Sequence, residues 1–494
     1  MQILPRKIPF RPTLLRSLVL ATGLLLLGHG MPVAADESPL PELGDSVSAA
    51  VTPEQEFKLG RNWLRQLRGA TPLVADPLVQ DYVEHLIYRL AFHSPLTNPD
   101  FAVIVIDDTD INAFAAPGGI VGVNVGLIIY ADSEAEMSAV LAHELGHLSQ
   151  RHFARSMASD KNSQWLYLGA LLASIVVATK GNSDAGIAMA ASTQAAMAQK
   201  ELSFSRADEQ EADRVGMQTL VDSGIDPHAM PEFFERLQKQ AGESLSMPEF
   251  LQDHPVTESR IADTLNRANK YPQKLALDSF DYQAMRQRIL TTYYEQSGNG
   301  VLHYQQALKE LNPGSPQYNI AELGLGLAEY QVHHYAEARK AIEPLLAADP
   351  ARVDYLAALS DIDLAEHKYA SVLARLEKPL TLNPDNYPLI MYYAQASIGN
   401  GQPKAAIDLL EAEARERPDD PQIWQLLVDA YTGSKNTLGI YRSRAELYYL
   451  YGNEDKALEQ LRMAAQQTRE DYPLNAKIQR RMREIQQAKA DAKF

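Results

Sequence analysis

The sequence Ala142-His143-Glu144-Leu145-Gly146-His147 sets two histidines four residues apart, with a glutamate between them. On a helix, positions i and i+4 differ by ~40° around the axis and by one turn of rise, so both imidazoles face one point. Neutral imidazole is a good Zn²⁺ ligand, and a carboxylate beside the metal can take a proton from bound water and deliver it to a leaving amine. The chemistry open to these residues is metal-assisted hydrolysis, with His143 and His147 as ligands and Glu144 as general base. A catalytic zinc also needs a third protein ligand and an open position.

The adjoining residues do not supply that ligand in the metzincin manner. Gln150 stands where that pattern has Gly, Phe153 where it has His, and His152 is out of phase by one. His152 therefore reads as a solvated residue or one that supports a ligand from behind. A better source lies in Phe204–Arg214, where Glu209 and Asp213 share a helical face. Glu209 could bind the metal while Asp213 accepts the other N–H of a ligand histidine. A charged, solvated helix face is the competing reading, and spacing alone leaves both open. His254, between Asp253 and Pro255 in a loop before a helix, is by default a capping or surface residue.

These residues need elements to hold them. Helical patterns cover 53–68, opened by Thr52-Pro53, and 77–92. Phe101, Val103 and Val105 then alternate with Ala102, Ile104 and Ile106, as in a strand buried on both faces. Asn112–Ala116, Val121–Val123 and Leu127–Tyr130 read as short extended runs, separated by Pro117-Gly118-Gly119 and Asn124–Gly126, which suits hairpins. A helix starts after Ser133 and carries the two histidines. Helical patterns then dominate to about residue 296. Within them, Trp165–Thr179 is strongly apolar and Ala185–Ala198 is rich in Ala and Met. The segment 164–203 reads as a buried helical hairpin or as a lid over the cleft; its apolar run is short of the ~20 residues a membrane span needs. A substrate of a zinc peptidase adds as a strand to a sheet edge near the metal, and Asn112, Ala113, Phe114 and Ala115 are the candidates for that edge.

Beyond residue 300 the chain repeats. Asn312-Pro313, Asp349-Pro350, Asn383-Pro384 and Arg417-Pro418 are spaced by 37, 34 and 34 residues. A period of about 34 residues with a terminal Pro is the tetratricopeptide signature. Gly326, Ala338, Ala394, Gly401 and Ala406 fall where paired helices approach, while Ser360 and Val372 depart from the small-residue pattern. Stacked pairs of this kind present a concave surface to peptides or partner proteins.

At 494 residues, 46% hydrophobic and 22% charged, the chain has the composition of an ordinary globular protein. It has no Cys, which excludes disulfides, thiolate zinc sites, a cysteine nucleophile and a lipid-modified N-terminal Cys. A net charge of −17 argues against nucleic acid as a partner. Arg6, Lys7, Arg11 and Arg16, the apolar run Leu18–Leu27 and Val33-Ala34-Ala35 form a secretory signal cleaved after Ala35. Removal of those four basic residues takes −17 to −21. An exported, acidic, cysteine-free chain suits a bacterial periplasm. The expected organisation is a signal peptide at 1–35, a flexible leader at 36–52, a catalytic domain at 53–296 and a repeat domain at 300–494.

The two-part pattern His143-Glu144-Leu145-Gly146-His147 with Glu209-x-x-Ala212-Asp213 resembles that of the M48 metallopeptidases. Asn112–Gly119, and His254-Pro255 followed by Arg260-Ile261, are similar to its other landmarks. The resemblance implies a gluzincin-like α+β domain, mostly helical with a small sheet, followed by an all-α tetratricopeptide solenoid. It implies one Zn²⁺ held by His143, His147 and Glu209, with Glu144 and Asp213 completing the catalytic set. It places His254 at the zinc, either as a latch in the open position or, with Arg260, as a donor to the oxyanion. The soluble, exported branch of the family further implies quality control and assembly of outer-membrane β-barrel proteins. Unfolded or misassembled barrels and the barrel-assembly machinery would be its partners, with at most peripheral membrane contact. The alternative is a chaperone or adaptor whose metal site is latched or vestigial.

Overall fold

The computed structural model describes residues 52–491 apart from 97–99, 160–203, 244–246, 275–277 and 297–298. The expected signal peptide, the leader up to residue 51 and the apolar segment 164–203 lie outside the described residues. Helix α1 (Pro53–Ala70) begins with a capping box in which Thr52 and Gln55 satisfy each other's backbone N–H groups, with Pro at the first helical position. Helix α2 (Pro77–Phe92) starts on Asp76, whose side chain accepts from the amides of Leu78 and Val79.

Three short strands follow: β1 (Ala102–Ile106), β2 (Ala113–Ala116) and β3 (Ile120–Asn124). They form a sheet of order β1-β3-β2, with β1 parallel and β2 antiparallel to β3. The expected hairpin is β2–β3, and Gly118 and Gly119 turn it with φ of 80° and 74°. The alternation along β1 sorts its side chains onto two cores. Ala102, Ile104 and Ile106 pack with Trp63, Leu64 and Leu67 of α1. Val103 and Val105 join the larger core built on α2 and the helices beyond the sheet. Leu127–Tyr130, expected as a strand, belongs to the short helix α3 (Val125–Tyr130). Most of that segment is buried, and a short buried apolar run carries no period that separates strand from helix.

Helix α4 (Glu134–Ser149) is capped by Ser133 and has Glu134 and Glu136 in its first turn, which favours its positive end. It continues through α5 (His152–Ser159), and after the undescribed stretch the chain resumes with α6 (Arg206–Asp222), α7 (Ala229–Glu243), α8 (Glu249–Asp253) and α9 (Glu258–Ala268). Helix α10 (Phe280–Gln296) belongs to two cores: Tyr282, Met285 and Ile289 pack into the core around α4, whereas Ala284 packs among repeat residues.

Eleven helices follow α10: α11 (Gly300–Glu310), α12 (Pro316–Gln331), α13 (Tyr335–Ala348), α14 (Val353–Ala365), α15 (Tyr369–Leu382), α16 (Tyr387–Gly399), α17 (Pro403–Glu416), α18 (Pro421–Gly433), α19 (Thr437–Leu450), α20 (Glu454–Gln467) and α21 (Tyr472–Asp491). The fold is an α+β domain followed by a tetratricopeptide solenoid. Ala338, Ala394 and Ala406 are fully buried, and a Cβ on Gly326 would lie 2.4 Å from Ile342 Cδ1, so these are close-approach positions. Gly401 is different. It has nothing within 4 Å of a Cβ and a φ of 72°, so it ends α16 rather than seating a neighbour. Ser360 and Val372 are fully buried despite departing from the small-residue pattern.

Candidate metal centre

Two helices cross closely to make the site. A Cβ on Gly146 of α4 would stand 2.8 Å from the Ala212 carbonyl oxygen of α6, and one on Gly216 would stand 2.9 Å from the His143 amide. Only glycine permits that approach, and it brings Glu209 and Asp213 of α6 against His143 and His147 of α4. His143 Nε2 and His147 Nε2 are 3.1 Å apart. The Glu209 carboxylate lies 3.5 Å from each of them. The C-cap residue of α8, His254, adds its Nδ1 at 3.0 Å from Glu209 Oε1 and 3.4 Å from His143 Nε2. All four donor atoms lie within 4.8 Å of one another and all four residues are buried.

This donor set fits a zinc ion. Ligands at ~2.0–2.1 Å from one tetrahedral ion are themselves a little over 3 Å apart, and three imidazoles with one carboxylate are hard-to-borderline donors of the kind zinc takes. Burial pushes His147 well below its usual range, aided by the charge of His143, so it is neutral and ready to ligate. Glu209 is driven up by burial but held well below the carboxylate range by His254 and His143, so it is ionised. Burial alone would lower His143, yet hydrogen bonds to Asp213 and Glu209 outweigh it and raise it to about 9.

Around the donors stands a set of fixed supports. Asp213 Oδ1 is 2.9 Å from His143 Nδ1, on the side of the ring away from the other donors. Arg260 of α9 grips both Asp213 oxygens through Nε and Nη2 at 2.7 Å each. Its Nη1 lies 2.7 Å from Glu209 Oε2 and donates to the Pro255 carbonyl. The guanidinium nitrogens are turned to these groups, so Arg260 orients Glu209 and Asp213.

Glu144 faces the donors from α4. Its Oε2 accepts from the Ala115 amide of β2 at 2.9 Å, and its Oε1 lies 3.5 Å from His254 Nε2. Burial raises its pKa. The Ala115 amide points outward because β2 is the free edge of the sheet. Asn112 extends the ladder by one residue, its carbonyl accepting from Asn124 N, while Phe114 and Ala115 stay half-buried. The Phe250 amide donates to the Ile111 carbonyl, which ties the His254 segment to the start of this edge.

Of the two roles that the sequence left open for His152, the structure shows the one behind a histidine and not the solvated one: it is 1% exposed. Its Nδ1 is 3.0 Å from His147 Nδ1, and its Nε2 is 3.1 Å from Glu211 Oε2. Phe204 lies on the His147 ring with centroids 4.1 Å apart.

A buried His/Glu donor set with a carboxylate facing it, next to a free sheet edge, defines a metallopeptidase centre. Residues 77–268 match peptidase family M48, and residues 363–430 match a tetratricopeptide repeat. The chain is 36% identical over 472 residues to the beta-barrel assembly-enhancing protease of Escherichia coli (strain K12), covering 95% of this chain and 93% of that one. It is 31% identical over 438 residues to the putative beta-barrel assembly-enhancing protease of Vibrio cholerae, covering 88% of this chain and 90% of that one. It is also 30% identical over 184 residues to the mitochondrial metalloendopeptidase OMA1 of Arabidopsis thaliana, covering 37% of this chain and 35% of that one. The chain belongs to peptidase family M48 and is a metalloendopeptidase.

Proposed function

We propose that the metal is zinc, held by His143, His147 and Glu209, and that Glu144 is the general base and proton carrier. The observation that carries this reading is the meeting of those three donors in one buried pocket with Glu144 facing it. Zinc, when bound, supplies Lewis-acid polarisation of the scissile carbonyl and acidification of water. The protein supplies the rest. The Ala115 amide fixes one Glu144 oxygen and leaves Oε1 as the proton-carrying atom. Asp213 holds the His143 tautomer, and Arg260 holds Asp213 and Glu209. The free edge of β2, from Asn112 through Ala115, takes substrate as an added strand.

His254 acts as a latch. Its Nδ1 sits among the donors and its Nε2 faces Glu144, so it fills the place that substrate and water need. A vestigial site is not favoured, because every donor, the base and the supports are in position. We infer the biological setting as an exported, periplasmic peptidase that removes or rescues stalled outer-membrane β-barrel proteins, with the repeats holding clients and the assembly machinery; the beta-barrel assembly-enhancing name of its relatives supports this reading. No helix among the described residues is long and apolar enough to cross a membrane. The organisation into a peptidase domain at 53–296 and a repeat domain at 300–494 is part of the same proposal. The latch is tested by His254→Ala in the zinc-loaded chain. Cleavage of an unfolded protein should rise several-fold, and a fall would assign His254 to transition-state binding instead.

A further inference from the structure

The first helix and the last line one groove. A cavity of about 740 Å³ is walled by Arg61, Arg65 and Arg68 of α1 and by Arg480, Arg481 and Arg483 of α21. Lys58 adds a seventh cation, against Asp419, Glu484 and Asp491 as the carboxylates of the wall. In a chain of net charge −17, this is a concentrated positive site. Four of these cations already have carboxylate partners: Lys58 has Glu54, Arg61 has Asp100 and Asp419, Arg480 has Glu484, and Arg481 has Glu446 and Glu484. Arg68 and Arg65 are less fully spent. Arg68 is 7% exposed. Among the described residues its buried Nε has no hydrogen-bond partner and no carboxylate comes within ion-pair distance. Burial presses its pKa downward in spite of Asp419 and Asp420 nearby. Arg65 donates through Nη2 to Asn62, but its buried Nε has no partner and its carboxylate neighbour Glu454 is 3.8 Å away. A buried cation left unpaired is costly, and an incoming anion would relieve that cost.

The groove is shaped for more than a small ion. Its volume falls within the roughly 300–1,000 Å³ of ligand clefts, and Phe57 lies exposed among the cations, with Leu64 and Leu450 buried beneath them. The Tyr449 ring is flanked by the Arg65 and Arg481 guanidinium groups at 4.4 and 4.8 Å, which holds both forks in place. Arg481 spends its fork on Glu446 and Glu484, so the fork left for a carboxylate is that of Arg68, and the exposed Phe57 ring beside it suits a peptide side chain. We infer that this groove binds an extended acidic peptide segment. Because both ends of the described chain supply its cations, occupancy would join α1, which packs on the sheet, to the terminal helix of the solenoid.

The test is fluorescence anisotropy with a short labelled peptide alternating Glu and Leu, on the full chain carrying Glu144→Gln so that the peptide is not consumed. The readout is independent of the catalytic reading. The Glu peptide should bind about tenfold or more tighter than its Gln counterpart, and added salt should weaken it. Arg68→Gln should weaken binding by about tenfold or more, the effect of removing one charge-assisted partner. Arg480→Glu with Arg483→Glu, both at exposed positions, should do the same without touching the buried wall. Equal binding of the Gln peptide, or unchanged affinity in the paired surface variant, would overturn the inference. So would uptake of inorganic phosphate with exclusion of the peptide, which would make this a small-anion site.

Discussion

At the scale of single residues, each of the two histidines proposed as ligands has a partner for its outer nitrogen: Asp213 for His143 and His152 for His147. Such partners fix the tautomer and ring orientation, and their loss costs about 10–100-fold in metal affinity. His152→Ala should therefore weaken zinc binding by at least about tenfold, measured by competition with a chromophoric chelator, with helix content unchanged. Unaltered affinity would reduce His152 to a packing residue. The histidine pair, the base and the Glu209–Asp213 face were legible because helical spacing places them. For His152 the sequence left two roles open, because the helix stops: α4 ends at Ser149, and Arg151 at φ 51° turns the chain so that His152 comes back under His147. Arg260 was named from sequence, but its partners depend on the α6–α9 packing, which no local pattern reveals.

At the scale of elements, the proposed control of access rests on the edge strand and the His254 segment. Glu249 opens α8 beside Asn112, and burial, with Asp253 and Asp108 adding, pushes its pKa up to about 7 from 4.5. The folded state then binds more protons than the unfolded one, so this group's contribution falls as pH rises from about 4.5 through about 7. Glu249→Gln removes the titration. At about pH 8 the variant should be more stable than the parent by on the order of 1–3 kcal/mol, and below about pH 4.5 the two should coincide, as read from urea midpoints. A stability difference that does not change with pH would contradict this. The strand, the hairpin and the capped helices were legible from alternation, Gly-Gly and Ser or Thr caps. The helix α3 was not, since Val125–Tyr130 offers an apolar run too short to show its period.

At the scale of the whole molecule, the solenoid is packed against the peptidase rather than tethered to it. Arg288 of α10 donates to Asp76 before α2 at 2.6 Å, to Asp361 of α14 at 2.7 Å and to Tyr392 of α16 at 3.0 Å. Leu78 of α2 lies in a core with Leu356, Val372 and Leu389. Truncating one member of a buried ion network strands the others and costs about 3–5 kcal/mol. Arg288→Ala should accordingly lower unfolding stability by about that amount, and an unchanged melting curve would show that the junction does not depend on it. The 34-residue spacing made the solenoid legible, but its docking was not: the contacts join residues from 73 to more than two hundred positions apart, and no period in the sequence records them.

The central claim is that Glu144 moves the proton at a protein-held metal. The most direct test is cleavage of an unfolded model protein by the His254→Ala chain, with and without chelator, beside the same chain carrying Glu144→Gln. The account predicts chelator-sensitive cleavage that falls by at least about 10²-fold in Glu144→Gln, while bound zinc stays at one ion per chain. Equal cleavage by the two zinc-loaded chains would contradict it.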